Sequence, residues 1–147
     1  MMRISTKGRY GARLMLELAL HYEKGTVLLK DIAKNQEISE GYLEHLLPVL
    51  KAAGLITSSR GAHGGYTLAR NPSEITLKDV VQSLEGSLFP VECVDTPAVC
   101  QRIKSCITRD VWRELGEKIS QTLDSVTLKD MVERQKDKKK VSLIYNI

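Results

Sequence analysis

No stretch of this 147-residue chain holds the run of about 18 apolar residues that a membrane-spanning helix requires, although 42% of the residues are hydrophobic. The start, Met1-Met2-Arg3-Ile4-Ser5, has neither the apolar core nor the small-residue cleavage site of a secretory leader, so a cytoplasmic protein is expected. Cysteine is scarce and odd in number, three residues between Cys93 and Cys106. In a reducing compartment such residues are metal ligands or reactive thiols rather than disulfide partners. Also missing are a phosphate-binding glycine loop ahead of a helix, a paired histidine-glutamate metal motif and a nucleophile elbow, so neither an enzyme nor a small-molecule substrate is expected. Net charge is only +4, and the excess is all N-terminal: residues 1–70 carry 10 Lys and Arg against 6 Asp and Glu, while residues 71–147 carry 12 of each. A basic half joined to a neutral one suggests that the first meets a polyanion and the second meets protein.

What is present begins with helical periodicity. Tyr10, Leu14, Leu18 and Ala19 mark a first helix, with Ser5 or Thr6 to cap it and Gly25 to end it in a left-handed turn. Leu29, Ile32 and Ala33 mark a second, broken over Asn35 to Ile38 before Ser39 caps a third. That third helix runs from about Glu40 to Ala53 with Leu43, Leu46, Leu47 and Leu50 inward, a kink rather than a break expected near Glu44 to Leu47 because of Pro48, and Gly54 as its stop. The period then becomes alternating, and Ile56-Thr57-Ser58-Ser59 and Tyr66-Thr67-Leu68-Ala69 bracket a glycine-rich turn as a two-stranded hairpin. Thr76 and Asp79 form a capping-box pattern for a short helix to Glu85. Pro90 and Pro97 frame an irregular cysteine loop. From Thr108 a long helix carries Val111, Trp112, Leu115, Ile119 and Leu123, and Thr127 caps a short last helix through Val132, after which the chain is expected to fray.

Three helices followed by a hairpin is the order of a winged helix-turn-helix, so the fold class expected is mainly α with a small two-stranded β wing and a long dimerisation helix. The third helix would offer Ser39, Glu40, Tyr42, Glu44 and His45 to base edges or phosphates. Ser5, Thr6, Lys7 and Arg9 at the positive end of the first helix would hold phosphate. On the wing, Arg60 supplies a cation, while Gly61, Gly64 and Gly65 let backbone amides approach the duplex. The apolar stripe of the long helix exceeds what one small domain covers, and a two-fold partner would bury it.

Ser5-Thr6-Lys7-Gly8-Arg9-Tyr10-Gly11, Ile38-Ser39 with Tyr42-Leu43-Glu44, Gly54-Leu55-Ile56, Arg60-Gly61-Ala62-His63-Gly64-Gly65-Tyr66 and the three cysteines with Trp112 together resemble the IscR/NsrR-type family of iron-sulfur transcription regulators, over roughly residues 3–133. The resemblance implies a homodimer on palindromic operator DNA, with a cluster, most simply 2Fe-2S, held by Cys93, Cys100 and Cys106, and repression of cluster-assembly genes. Thiolates are the soft donors such clusters take, and a proline-framed loop lets three sulfurs converge. The fourth ligand departs from the family pattern. Arg109 stands where a histidine is expected and Arg9 where an aspartate ligand would stand, and arginine cannot ligate iron. Glu44 is the candidate replacement, followed by Glu92, Asp95 and Asp110. A nitric-oxide-responsive cluster, a structural zinc and a thiol-redox switch remain open alternatives. The expected division is a DNA-binding domain over 1–86, a cysteine loop over 87–107, dimerisation and docking helices over 108–136, and a tail over 137–147.

Overall fold

In the computed structural model, which describes residues 2–145, Ser5 opens the first helix as expected: its hydroxyl accepts from the Gly8 amide at 3.4 Å. Helix α1 spans Thr6–Leu20, α2 Leu29–Gln36 and α3 Glu40–Ala52. α1 stops five residues before Gly25, so that glycine (φ 95°) belongs to the following turn. α2 ends at Glu37, held left-handed at φ 54°. Ser39 then caps α3 by accepting from the Tyr42 amide at 3.2 Å. Pro48 sits inside α3 without breaking it, because Leu43, Leu46, Leu47 and Leu50 still reach the core on one face.

Strands β1 (Ile56–Ser59) and β2 (Gly65–Leu68) pair antiparallel, Ile56 with Leu68 through Ser59 with Gly65. Val27 adds a bridge to Tyr66, an element absent from the sequence reading. A single 3-10 turn at Pro72–Glu74 leads to α4 (Leu77–Glu85), whose Thr76–Asp79 capping box is complete. Such a reciprocal cap contributes about 1 kcal/mol. The core lies among α1, α3, α4 and the base of the hairpin, where Leu14, Ile32, Leu43, Leu50, Ile75, Val80 and Leu128 are fully buried.

The second half departs from expectation at the cysteine stretch and at the last helix. The cysteine stretch is not wholly irregular, since α5 (Glu92–Asp95) and a 3-10 turn at Pro97–Val99 interrupt it. Helix α6 (Ile107–Asp124) leaves Ile107, Val111 and Trp112 exposed and buries only Gly116, on which the Phe89 ring lies. The last helix is not short: α7 runs Leu128–Tyr145, opened by Thr127 and Asp130 in a second reciprocal cap (2.9 and 3.1 Å). The tail expected to fray is helical through Tyr145, and lysine is a good helix former. Residues 146 and 147 of that tail, and Met1 of the first domain, lie outside the described residues.

Candidate nucleic-acid interface and cysteine loop

Burial of the leucine face of α3 turns Glu40, Glu44 and His45 to solvent, beside the exposed cap Ser39. Tyr42 is half-buried, its ring edge-on to Tyr10 at 5.3 Å, so it braces α3 against α1. The outer side of α3 and the hairpin share a shallow groove of about 300 Å³ lined by Glu44, Leu47, Pro48, Lys51, Ser58 and Tyr66. Across it the Lys51 ammonium donates to the Ser58 hydroxyl at 2.7 Å, fixing wing to helix. A long helix edge next to a protruding hairpin can lie in a groove and along a backbone at once.

At the wing tip Arg60, Gly61, Ala62 and His63 are exposed. Gly64 is buried and Gly65 partly exposed, and neither has room for a side chain. A Cβ on Gly64 would stand 2.8 Å from the Ser59 carbonyl oxygen, and one on Gly65 (φ 140°) 2.6 Å from that of Val27. These glycines serve the tight turn itself, which the Gly64 amide closes on the Gly61 carbonyl at 3.0 Å. Thr26 fastens it from outside, its hydroxyl donating to the carbonyls of His63 and Gly64 at 2.8 and 3.0 Å.

At the start of α1, Thr6, Lys7 and Arg9 are exposed, as a phosphate clamp requires. Ser5 has other partners: its amide donates to Glu85 Oε1 at 2.8 Å and its hydroxyl donates to the same oxygen. A carboxylate from α4 thus occupies Ser5, which tethers α1 to α4 in place of the expected phosphate contact.

The three cysteines are free thiols, each partly exposed: Cys93 on α5, Cys100 after the 3-10 turn, Cys106 as the residue capping α6. Arg109, in the position of the missing histidine, donates from Nε to the Cys93 carbonyl at 3.3 Å and so ties the loop to α6. The Cys106 thiol is held below its ordinary range, first by the Thr108 hydroxyl 3.3 Å away, then by the Arg109 amide and the Arg102 charge. Of the reserve carboxylates, Asp95 accepts from the Ser87 hydroxyl and Asp110 pairs with Arg113 at 2.7 Å. No residue of 87–107 lines the groove that holds Glu44. Among the described residues no group of three or more His, Cys, Asp or Glu side chains is arranged to hold a metal. The donor set therefore fits a cluster in kind, three free thiols with cations nearby, but the conformation described does not gather it, and the convergence expected from spacing is not met.

Residues 4–134 match the family model described as Rrf2, iron-dependent transcriptional regulator. The chain belongs to the Rrf2 family. It is 44% identical over 131 residues to protein rrf2 of Nitratidesulfovibrio vulgaris, covering 89% of this chain and 87% of the relative. The solved structure of CymR (YrzC), the global cysteine regulator of B. subtilis, superposes with a TM-score of 0.76 at 41% identity, covering 91% of this chain and 98% of that one. T. potens IscR superposes with a TM-score of 0.76 at 42% identity, covering 91% and 88%. The winged fold and the resemblance to IscR-type regulators stand, and the chain is a DNA-binding transcriptional regulator, not an enzyme. No helix of the described residues is long and apolar enough to cross a membrane.

One part of this Rrf2 reader was missed in the sequence. Glu17, 3% exposed on α1, accepts from Asn35 Nδ2 at 2.7 Å and Gln36 Nε2 at 2.8 Å. Arg13 donates to the Gln36 carbonyl, and His21 Nδ1 stands 2.9 Å from the Glu17 carbonyl. Together they clamp the end of α2, one residue before left-handed Glu37 turns the chain into α3.

Proposed function

We propose that this Rrf2-family protein is a cytoplasmic homodimer that represses genes of iron-sulfur cluster assembly by binding palindromic operators, with residues 87–107 as its sensing segment. The observation that carries the DNA reading is the groove shared by α3 and the wing. Glu44 lines that groove, and beside it the exposed Ser39, Glu40 and His45 of α3 would face base edges, while Arg60 and Gly61 at the wing tip meet the backbone and Thr6, Lys7 and Arg9 hold a further phosphate. Glutamate accepts from cytosine N4, which gives Glu40 and Glu44 a preference among bases.

Cys93, Cys100 and Cys106 would hold a 2Fe-2S cluster, with Glu44 as the candidate fourth ligand. A bound cluster supplies one thing the chain lacks, a tether between three sulfurs that iron supply and oxidants can remove. The chain's own residues do the rest. Arg109 already ties Cys93 to α6, so a cluster held by Cys93, Cys100 and Cys106 would draw the loop toward the start of that helix. The lowered pKa of Cys106 favours a second reading, a thiol switch in which a peroxide oxidises Cys93 to the sulfenic acid and the Cys106 thiolate attacks that sulfur, breaking its S–O bond to form the disulfide and release hydroxide.

Ultraviolet-visible and paramagnetic-resonance spectra of protein purified without oxygen separate these readings. The expected result is red-brown two-iron bands, lost in the Cys93→Ser, Cys100→Ser, Cys106→Ser triple variant together with the difference in operator affinity between loaded and stripped protein. A colourless protein whose affinity responds to oxidant but not to an iron chelator overturns the cluster and leaves the thiol switch.

A further inference from the structure

Charge along this chain falls into three blocks. Residues 1–70 are basic, residues 71–133 carry 7 cations against 11 anions, and residues 134–147 carry 5 cations against one anion. The family match ends at residue 134, where the last block begins. Helix α7 is rooted by the Leu128 amide on the Ile75 carbonyl at 2.9 Å and by buried Leu128, and from Lys136 to Tyr145 it is exposed. At 1.5 Å per residue this is a stiff arm of about 15 Å.

Lys136, Lys139 and Lys140 stand at i, i+3 and i+4 of that arm, on one side of the helix. Like charges so spaced repel and oppose the helix. Among the described residues none of the three has an ion pair, although the preceding block is rich in acid. A self-repelling stripe unanswered by the chain's own carboxylates is complementary to an external polyanion, and the polyanion this family engages is duplex DNA.

We propose that Lys136, Lys139 and Lys140 form a second, sequence-independent phosphate contact on DNA flanking the site read by α3 and the wing. The proposal rests on the DNA-binding reading. It adds affinity and salt dependence without base preference, because ammonium groups on phosphates carry no sequence information.

The test compares the full chain with its K136Q/K139Q/K140Q variant, glutamine keeping the helix propensity. Binding is measured against salt on a random-sequence duplex of about 40 base pairs and on one of about 15, each phosphate contact being worth a slope of about 0.9 in log K against log salt. On the long duplex the variant's slope should be shallower by about 2 to 3, with affinity down more than about tenfold at low salt, and the change on the short duplex should be smaller. K136R/K139R/K140R should behave as the parent, and equal melting temperatures show that the arm is not needed for folding. Identical slopes for variant and parent on the long duplex overturn the proposal, as does an unchanged slope with altered sedimentation, which gives the arm to a second copy of the chain. A parent that binds neither random duplex overturns the sequence-independent contact, whereas failure on palindromic operator DNA as well would tell against the reading by α3 and the wing.

Discussion

The hydroxyl of Thr108 lies 3.3 Å from the Cys106 sulfur at the start of α6, where the thiolate also meets the Arg109 amide and the field of Arg102. Each of these stabilises the charged form, so the thiol ionises at lower pH than an unassisted cysteine, and thiolate is the form that ligates iron or attacks a disulfide. Removing the first of them in Thr108→Val should raise the pKa. Alkylation of Cys106 by iodoacetamide, followed by mass spectrometry, should slow at pH 7 and its pH profile should shift to higher pH. An unmoved profile would show that the hydroxyl does not set the ionisation. Cys106 also illustrates what residue types reveal on their own: three cysteines mark a site of soft chemistry, whereas the gathering of their sulfurs depends on a loop conformation that spacing does not encode.

At the scale of elements, the turn between α2 and α3 decides where the reading helix sits, and it is fixed from α1. Glu17 is a buried carboxylate whose two oxygens accept one side-chain amide each, from Asn35 and Gln36. Glu17→Ala removes both charge-assisted hydrogen bonds and should cost about 3 kcal/mol in urea unfolding. Glu17→Gln turns an amide donor toward another donor and should cost about 1 to 3 kcal/mol. In both, operator affinity should fall at temperatures where the protein is fully folded, because α3 is less firmly placed; unchanged affinity would reduce the clamp to a matter of stability. Nothing local in the sequence announces this, since a glutamate between apolar positions reads as solvent-facing and its partners lie 18 and 19 residues away. The same distance problem hid the Glu85 hold on Ser5, 80 residues apart. Elements whose signals are local were legible: Ser39 at the head of α3, the Thr76–Asp79 box, and the hairpin around Gly61 to Gly65 all appear where their residues place them. The length of α7 was not, because a lysine run has no apolar period to read.

For the whole molecule the open question is what covers α6. Ile107, Val111 and Leu115 recur every fourth residue with Trp112 beside them, and Val111 and Trp112 remain 50% and 40% exposed although α6 packs on α4 and α5. A Trp and a Val on one helix, both open to water, represent an unpaid hydrophobic surface that a two-fold copy of the same helix would bury. Pairing there would carry the two α3 helices to successive major grooves, about 34 Å apart, so that each half-site restrains its partner. Val111→Glu places a charge in that contact on each protomer without touching the winged domain's core. Sedimentation equilibrium should then give a monomer, while the melting of the winged domain is retained. Because the second half-site is no longer delivered at high effective concentration, affinity for a palindromic operator should drop at least about 100-fold, with affinity for a single half-site unchanged. A variant that stays dimeric would move the interface off α6, and one that turns monomeric yet binds the palindrome as before would detach dimerisation from operator reading.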